Sequence, residues 1–320
     1  MSESISAIGK KAWEVVSAKC IAIWKEFAKF VKSNPQYLLC SVVYYILASF
    51  LLGSAFISFF IALLSYIITL FVVFTPLGET ILRFFEHVRK IETNQEKAYL
   101  LPLFQEVYQQ AKEQNPELGH IELCIVDKMT VNACALGKRT IAVTKGAIDI
   151  FSPDELKALM AHEIAHIVYG DSIAKLYTTV GNGIFTVFVL ATQMFIFIAE
   201  WIEKIATKSK SSFSPAWIFI TAIKLLFMLI LLVVQFLMKM VITFSSRRSE
   251  FRADRYACEL GYGEKLVEAL YLLEKMQLGA DATVIQRMVR DHPRITARIE
   301  RLETLLDRES SMQGVPLPLS

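Results

Sequence analysis

The chain has 320 residues, of which 54% are hydrophobic and 20% charged, and its mean hydropathy is +0.43. This composition is too apolar for an ordinary soluble globule and favours an integral membrane protein. A formal net charge of +3, with no basic patch among aromatic residues, argues against nucleic-acid binding. The five cysteines are scattered along the chain, which suits a reducing compartment rather than a disulfide framework.

Residues 1–32 are predicted to form an amphipathic helix. Trp13 and Trp24 belong to its apolar side, and six lysines occupy the other. Such a helix can lie in the membrane interface or pack, solvated, on the protein's own domain, and both interpretations stay open. The apolar run that follows starts too late and is too long for a cleavable signal peptide, so we expect a retained anchor.

Four apolar segments predict membrane spans arranged as two hairpins. Residues 33–78 carry only uncharged side chains, over about twice the ~20 residues that cross a bilayer, so the first hairpin is placed at 37–76. The second is placed at 176–240, where Lys224 interrupts the apolar pattern and leaves a re-entrant hairpin as the alternative. Basic residues flank the first hairpin on both sides. The positive-inside rule therefore places both ends of this hairpin in the cytoplasm. We expect a multi-pass protein of the cell (inner) membrane with both termini and the polar domain cytoplasmic.

The two polar segments, 79–172 and 241–308, are predicted to form one α+β domain with a small sheet. The tail at 309–320 contains prolines and no periodicity, and is predicted to be disordered. In the first segment, helical patterns cover 80–93 and 96–113, and β-like runs follow at 120–126, 131–136 and 139–144.

A further helix is predicted at about 153–170. Ser152 is a suitable N-cap, Pro153 occupies the first helical position, and Glu155 can complete a capping box. On this helix His162 and His166 lie one turn apart on one face, where both imidazoles can bind one metal ion. Glu163 follows the first histidine and can reach a water in an open coordination position. This is the geometry of a zinc hydrolase with a carboxylate general base.

Two histidines leave a catalytic zinc one protein ligand short. Glu250 is the best candidate for the third ligand, and Asp254, one turn later, can accept a hydrogen bond from the far ring nitrogen of His162. The alternative is a solvated charged helix in which both carboxylates merely pair with nearby arginines.

These motifs resemble the gluzincin membrane metallopeptidase family of the heat-shock protease HtpX and the CAAX prenyl endopeptidases, and HtpX is the more similar. The resemblance covers about residues 75–305. The matching residues are His162-Glu163-x-x-His166, Ser246-Arg247-x-x-Glu250-x-x-Ala253-Asp254, Asn132-Ala133-x-Ala135-x-Gly137 and His292-Pro293 with Arg298-Ile299.

The resemblance implies roles for further residues. The segment Asn132, Ala133, Cys134 and Ala135 is expected to be an edge strand that binds substrate in extended form, although an ordinary short strand is the alternative. Cys134 stands where the family commonly has an aromatic residue. His292 or Arg298 is expected to stabilise an oxyanion. The alternatives are a capping or packing histidine and a structural arginine that bridges a nearby carboxylate such as Asp171.

The sequence therefore predicts a membrane-bound zinc endopeptidase with one Zn²⁺ per chain. Glu163 would act as general base, and the partners would be peptides, misfolded or damaged membrane proteins, and the lipid bilayer. A CAAX-type prenyl endopeptidase and a non-catalytic, zinc-containing membrane scaffold or chaperone are the alternatives.

Overall fold

The computed structural model describes residues 56–177, 215–278 and 295–313 continuously, together with separate residues between 13 and 46 and between 180 and 202. The chain divides into two compact units. The first comprises Met1–Gly78 and Leu176–Met238, and the second comprises Glu79–Lys175 and Lys239–Ser320.

The helices and strands follow one another along both units. In chain order they are α1 (Phe56–Phe74), α2 (Pro76–Phe85), β1 (Val88–Lys90), α3 (Asn94–Gln114), β2 (Glu122–Val126), β3 (Ala133–Leu136), β4 (Thr140–Thr144), α4 (Lys145–Ile150), α5 (Pro153–Val168), α6 (Asp171–Leu176), α7 (Pro215–Glu259), α8 (Gly263–Leu278) and α9 (Ile295–Gln313). The protein is thus mostly helical, with one small mixed sheet in its second unit.

The sheet has four strands in the order β1-β2-β4-β3. Strand β2 runs parallel to β4, and the outer strands β1 and β3 pair antiparallel with their neighbours. All residues of β4 are buried, as expected for a central strand with a continuous apolar sequence. Strand β3 lies at an edge of the sheet, against α5.

The core of the second unit lies between this sheet and its helices. Helix α5 is buried on most of its surface, because it packs on β3, α3 and α8. Its apolar residues join those of the other elements in one cluster, which includes Ile141, Leu156, Ile164, Ala257, Leu266 and Leu302. Burial of this kind contributes about 1.5–3 kcal/mol for each large aliphatic side chain, so the core stabilises the position of α5.

The first unit exposes a large apolar surface. Helix α1 and the first half of α7 present exposed side chains at Phe60, Leu64, Ile67, Ile68, Phe71, Leu225, Leu226, Leu229, Val233 and Phe236. Polar contacts inside this unit include a hydrogen bond of 2.5 Å between the hydroxyls of Tyr66 and Tyr177.

The described residues contain no individual helix with both the length and the hydropathy of a bilayer-crossing segment. The consecutive helices Leu63–Phe74 and Pro76–Phe85, which are bent at the break between them, meet both requirements together. Most of the predicted span at 37–54 lies outside the described residues. The number of spans therefore stays a prediction.

Two sequence predictions differ from the structure. The helix predicted over 80–93 ends at Phe85, and strand β1 occupies Val88–Lys90. His87 has a φ of 56°, and this left-handed turn redirects the chain onto the edge of β2. The tail predicted to be disordered from residue 309 is helical up to Gln313, because α9 extends to that residue. Residues 314–320 lie outside the described part.

Candidate metal centre

Helix α5 positions two histidines and a glutamate at the centre of the second unit. Its first turn has the predicted capping box, in which Ser152 and Glu155 satisfy each other's backbone N–H groups, and Pro153 follows the N-cap. This prediction is confirmed. The helix places His162, Glu163 and His166 in the buried interior.

Glu250 on α7 meets both histidines. The Nε2 atoms of His162 and His166 lie 3.2 Å apart. One carboxylate oxygen of Glu250 lies 3.4 Å from Nε2 of His162, and the other lies 3.5 Å from Nε2 of His166. Within the described residues, these three form the group whose ligand atoms all fall within 4.8 Å of one another.

These distances fit a tetrahedral metal site. With bonds of about 2.0–2.1 Å, the ligand atoms of a tetrahedral ion lie about 3.3 Å apart, and the observed separations scatter around that value. Two imidazole nitrogens and one carboxylate oxygen also form the donor set of a catalytic site with an open fourth position. His162, His166 and Glu250 are therefore able to hold a divalent cation.

Asp254 lies behind His162, as its spacing from Glu250 predicted. Its Oδ1 atom is 2.9 Å from Nδ1 of His162, at the ring nitrogen that points away from Glu250. Arg298 on α9 donates to both oxygens of this carboxylate, at 2.9 Å through Nε and 2.5 Å through Nη2. Its Nη1 atom lies 3.2 Å from Glu250. The buried guanidinium thus bridges two carboxylates of the site.

The position of Arg298 bears on two expectations: its pairing with Asp171 and its role as an oxyanion donor. The suggested pairing of Arg298 with Asp171 is wrong, since Asp171 pairs with Arg252 instead. The contacts of Arg298 with Asp254 and Glu250 favour a structural role over that of an oxyanion donor. His292 lies outside the described residues, so its role stays a prediction.

Asp171 was expected only as a partner of an arginine, and the sequence analysis missed its contact with His166. Its Oδ2 atom is 3.3 Å from Nδ1 of His166, which mirrors the contact of Asp254 with His162. Gly170, with a φ of 78°, follows the end of α5 and turns the chain so that α6 begins at Asp171. The sequence did contain a signal for this contact. Asp171 is a short acidic residue, it directly follows the glycine that ends the helix, and it lies five residues after His166.

Glu163 is held by the edge strand. Its Oε2 atom accepts a hydrogen bond of 2.8 Å from the backbone N–H of Ala135. The carbonyl of Asn132 accepts a hydrogen bond from the backbone N–H of Thr144. In an antiparallel pair such residues alternate along the strand, so the backbone groups of Cys134 and Leu136 also face β4. The backbone groups of Ala133 and Ala135 consequently point away from β4, on the side of β3 next to α5, and both residues are buried.

The site is electrostatically suited to a cation. Burial lowers the pKa of His166, but Asp171 and Glu250 outweigh this and raise it to about 10. Burial and Arg298 lower the pKa of His162, whereas its contacts with Asp254 and Glu250 raise it, and the net change is upward. Surrounding carboxylates therefore favour positive charge at both imidazoles, which a metal ion can supply in place of protons.

Comparison with known proteins identifies the family. The family model described as Peptidase family M48 matches residues 94–306, which is well over half of the chain. The chain belongs to peptidase family M48, and the resemblance found from the motifs is confirmed.

Individual relatives carry related names. Protease HtpX of Psychrobacter sp. (strain PRwf-1) is 28% identical over 225 residues, which cover 63% of this chain and 69% of the relative. A Protease HtpX homolog of Nitrosomonas eutropha is 26% identical over 234 residues, covering 68% and 75%. Among solved structures, the S. mikatae Ste24p crystal structure aligns with a TM-score of 0.48 at 17% identity, covering 88% of this chain and 67% of that one.

Proposed function

We propose that this protein is an integral membrane zinc endopeptidase that cleaves misfolded or damaged membrane proteins on the cytoplasmic side of the cell (inner) membrane. The observation that carries the proposal is the convergence of His162, His166 and Glu250 at tetrahedral spacing, with Glu163 beside them on the same helix. Membership of a peptidase family supports the hydrolytic activity.

His162, His166 and Glu250 would hold a zinc ion, whose chemistry would be to lower the pKa of a water molecule and to polarise the scissile carbonyl. Glu163 takes a proton from the attacking water and delivers it to the leaving amine. The hydrogen bond from Ala135 to Oε2 orients this carboxylate and leaves its other oxygen for the proton. Asp254 and Asp171 fix each histidine in the tautomer whose Nε2 atom is unprotonated.

The edge strand β3 supplies the expected substrate-binding surface. The backbone groups of Ala133 and the carbonyl of Ala135 can pair with an extended peptide, whereas the N–H of Ala135 is already bonded to Glu163. Main-chain hydrogen bonds of this kind depend little on the sequence of the peptide. Such binding suits a protease that acts on unfolded segments of many proteins. The exposed apolar side chains of α1 and of the first half of α7 support a location in the bilayer, because soluble monomers rarely expose apolar patches of this size.

The proposal is tested by cleavage of an unfolded membrane protein by the purified full-length chain, with and without a zinc chelator. We expect cleavage that the chelator abolishes and added zinc restores. Glu163→Gln should retain about one zinc per chain and lose activity by about 100-fold or more, since general-base catalysis contributes about 10²–10⁴. His162→Ala and Glu250→Ala should lose the metal.

Glu259→Gln is the matched control, because Glu259 lies on α7 and pairs with Arg255 at the surface. It should behave as the wild type. Cleavage that survives in Glu163→Gln, or in the presence of chelator, would contradict the proposal. Cleavage of prenylated peptides alone would favour a CAAX-type endopeptidase, and stoichiometric zinc without hydrolysis would favour a scaffold.

A further inference from the structure

Asp171 is the link between a metal-ligand candidate and the protein surface. Its two oxygens have different partners: Oδ2 is 3.3 Å from Nδ1 of His166, and Oδ1 is 2.7 Å from Nη2 of Arg252. A carboxylate bound at both oxygens has little freedom to rotate. Its orientation, and with it the orientation of the His166 ring, therefore depends on where Arg252 lies.

Arg252 is itself held in place by aromatic side chains. Its guanidinium lies 4.4 Å from the centre of the Tyr169 ring, within the range of a cation–π contact. Tyr169 in turn packs edge-to-face against Tyr256, with ring centres 5.9 Å apart. Tyr169 caps the end of α5, and Tyr256 belongs to α7. The arginine thus rests on a platform built by the two helices that carry the metal-ligand candidates.

Arg252 lies close in sequence to a candidate metal ligand, and through Asp171 it contacts a second one. It lies two residues after Glu250 on α7, whereas Asp171 and His166 come from the segment around the end of α5. One short stretch of α7 thus contributes both a candidate ligand and, through Arg252, the anchor of the residue that orients another. The side chain of Arg252 is nonetheless nearly half exposed, so by its exposure alone it resembles an ordinary surface arginine.

We infer that Arg252 is a positioning residue for the metal, which acts through Asp171 on His166. The inference rests on the proposed zinc site. By holding Asp171, Arg252 keeps the Nδ1–H of His166 directed to a carboxylate and the Nε2 lone pair directed to the metal. Partners that fix a ligand in this way are worth about 10–100-fold in metal affinity.

The test is a measurement of zinc affinity by competition with a chromophoric chelator on the full-length purified protein. Asp171→Asn should weaken zinc binding by about 10–100-fold. Arg252→Ala should weaken it by about tenfold or less, because Arg252 acts on His166 only through Asp171. Arg252→Lys should recover part of the loss, since it restores the charge without the planar group that stacks on Tyr169. Arg255→Ala, an exposed arginine three residues later that pairs with Glu259, is the control and should bind zinc normally.

The double variant decides whether Arg252 acts through Asp171. If it does, Asp171→Asn with Arg252→Ala should bind zinc as weakly as Asp171→Asn alone, because the second change has nothing left to disturb. Fully additive losses, or an Arg252→Ala affinity equal to that of Arg255→Ala, would overturn the inference. A wild-type protein that binds no zinc would instead overturn the proposed function, so the two failures are distinguishable.

Discussion

Arg298 shows how strongly one buried charge depends on its neighbours. Burial alone would lower the pKa of this guanidinium, but Asp254 and Glu250 raise it, and it stays charged. The same arrangement keeps the pKa of Asp254 below its usual value, because Arg298 and His162 outweigh the effect of burial. Removal of the arginine would leave two carboxylates of the site without their shared cation.

We therefore predict that Arg298→Met lowers the free energy of unfolding of the metal-free protein by about 3 kcal/mol or more, since breaking a buried ion pair leaves uncompensated charge. Denaturant unfolding in the presence of a chelator measures the change. Arg308→Met, an exposed position on the same helix α9, is the control and should change stability by less than about 0.5 kcal/mol. Equal stability of the two variants would show that Arg298 has no such role.

Gly137 is a second residue whose identity is dictated by its surroundings. It has a φ of 67°, and a Cβ atom there would lie 2.8 Å from Oε2 of the buried Glu79. Its carbonyl also accepts a hydrogen bond from the hydroxyl of Ser172. The turn between β3 and β4 is thus held between α2 and α6.

We expect Gly137→Ala to reduce stability by about 1–2 kcal/mol, because a left-handed conformation disfavours a side chain and Glu79 must move. A thermal unfolding curve reports the change. Gly119→Ala is the comparison, because a Cβ atom there would meet nothing within 4 Å. If both variants melted at the same temperature, the close approach at Gly137 would be unimportant.

At the scale of elements, the stability of α5 depends on the N-cap at its first turn. The hydroxyl of Ser152 accepts a hydrogen bond from the backbone N–H of Glu155, and the carboxylate of Glu155 accepts one from the N–H of Ser152. Loss of an N-cap side chain costs about 1 kcal/mol. We predict a decrease of this size in unfolding free energy for Ser152→Ala, and a smaller decrease for Ser152→Thr, which keeps the hydroxyl. Equal losses in a denaturant titration would argue against the cap.

The start of α3 carries a charge that makes stability depend on pH. Glu96 completes a capping box with Thr93, and Arg89 of β1 lies 2.7 Å from its carboxylate. The hydrogen bond with Arg89 lowers the pKa of Glu96 to about 2. Because this pKa is lower in the folded than in the unfolded state, the contribution of Glu96 is complete above about pH 4.5 and is lost as the pH falls through about 2.

Glu96→Gln keeps the capping acceptor and removes the charge. The variant should be less stable than the wild type at pH 6, and the difference should shrink as the pH falls towards 2. Chemical unfolding in the presence of chelator, at several pH values, measures it. Glu113→Gln, at an exposed site near the other end of α3, should show no such trend. A difference that is constant with pH would contradict the assignment to the charge of Glu96.

At the scale of the whole molecule, the candidate metal centre ties together distant parts of the chain. His162 and His166 precede the predicted second hairpin, and Glu250 follows it. A ligand that binds only the folded state stabilises it by RT ln(1 + [L]/Kd), which is about 2.7 kcal/mol at 100 times Kd. We predict that the melting temperature rises steadily with free zinc, and that Glu250→Ala removes this dependence. A melting temperature that ignores zinc in the wild type would contradict the proposed site.

The sequence predicted those parts of the fold that depend on local patterns. Helix α5 and its cap, the positions of β2, β3 and β4, and the pair His162 and His166 follow from spacing along the chain. Glu250 was the best candidate for the third ligand, and the resemblance to the metallopeptidase family supported it. Strand β1 escaped prediction because its apolar character is weak and its partner β2 lies more than thirty residues away. A strand that forms only against a distant neighbour leaves little trace in its own residues.

The sequence by itself therefore determined the histidine pair and the adjacent glutamate, because two histidines one helical turn apart share a face, and its motifs carried the resemblance to the family. The tertiary structure alone decided which arginine pairs with which carboxylate: Arg298 with Asp254 and Glu250, and Arg252 with Asp171. These partners lie on α6, α7 and α9, and the packed structure brings them together. The sequence gives no distances between charged side chains, whereas the strength of an ion pair depends on distance, so only the folded chain decides which two residues pair.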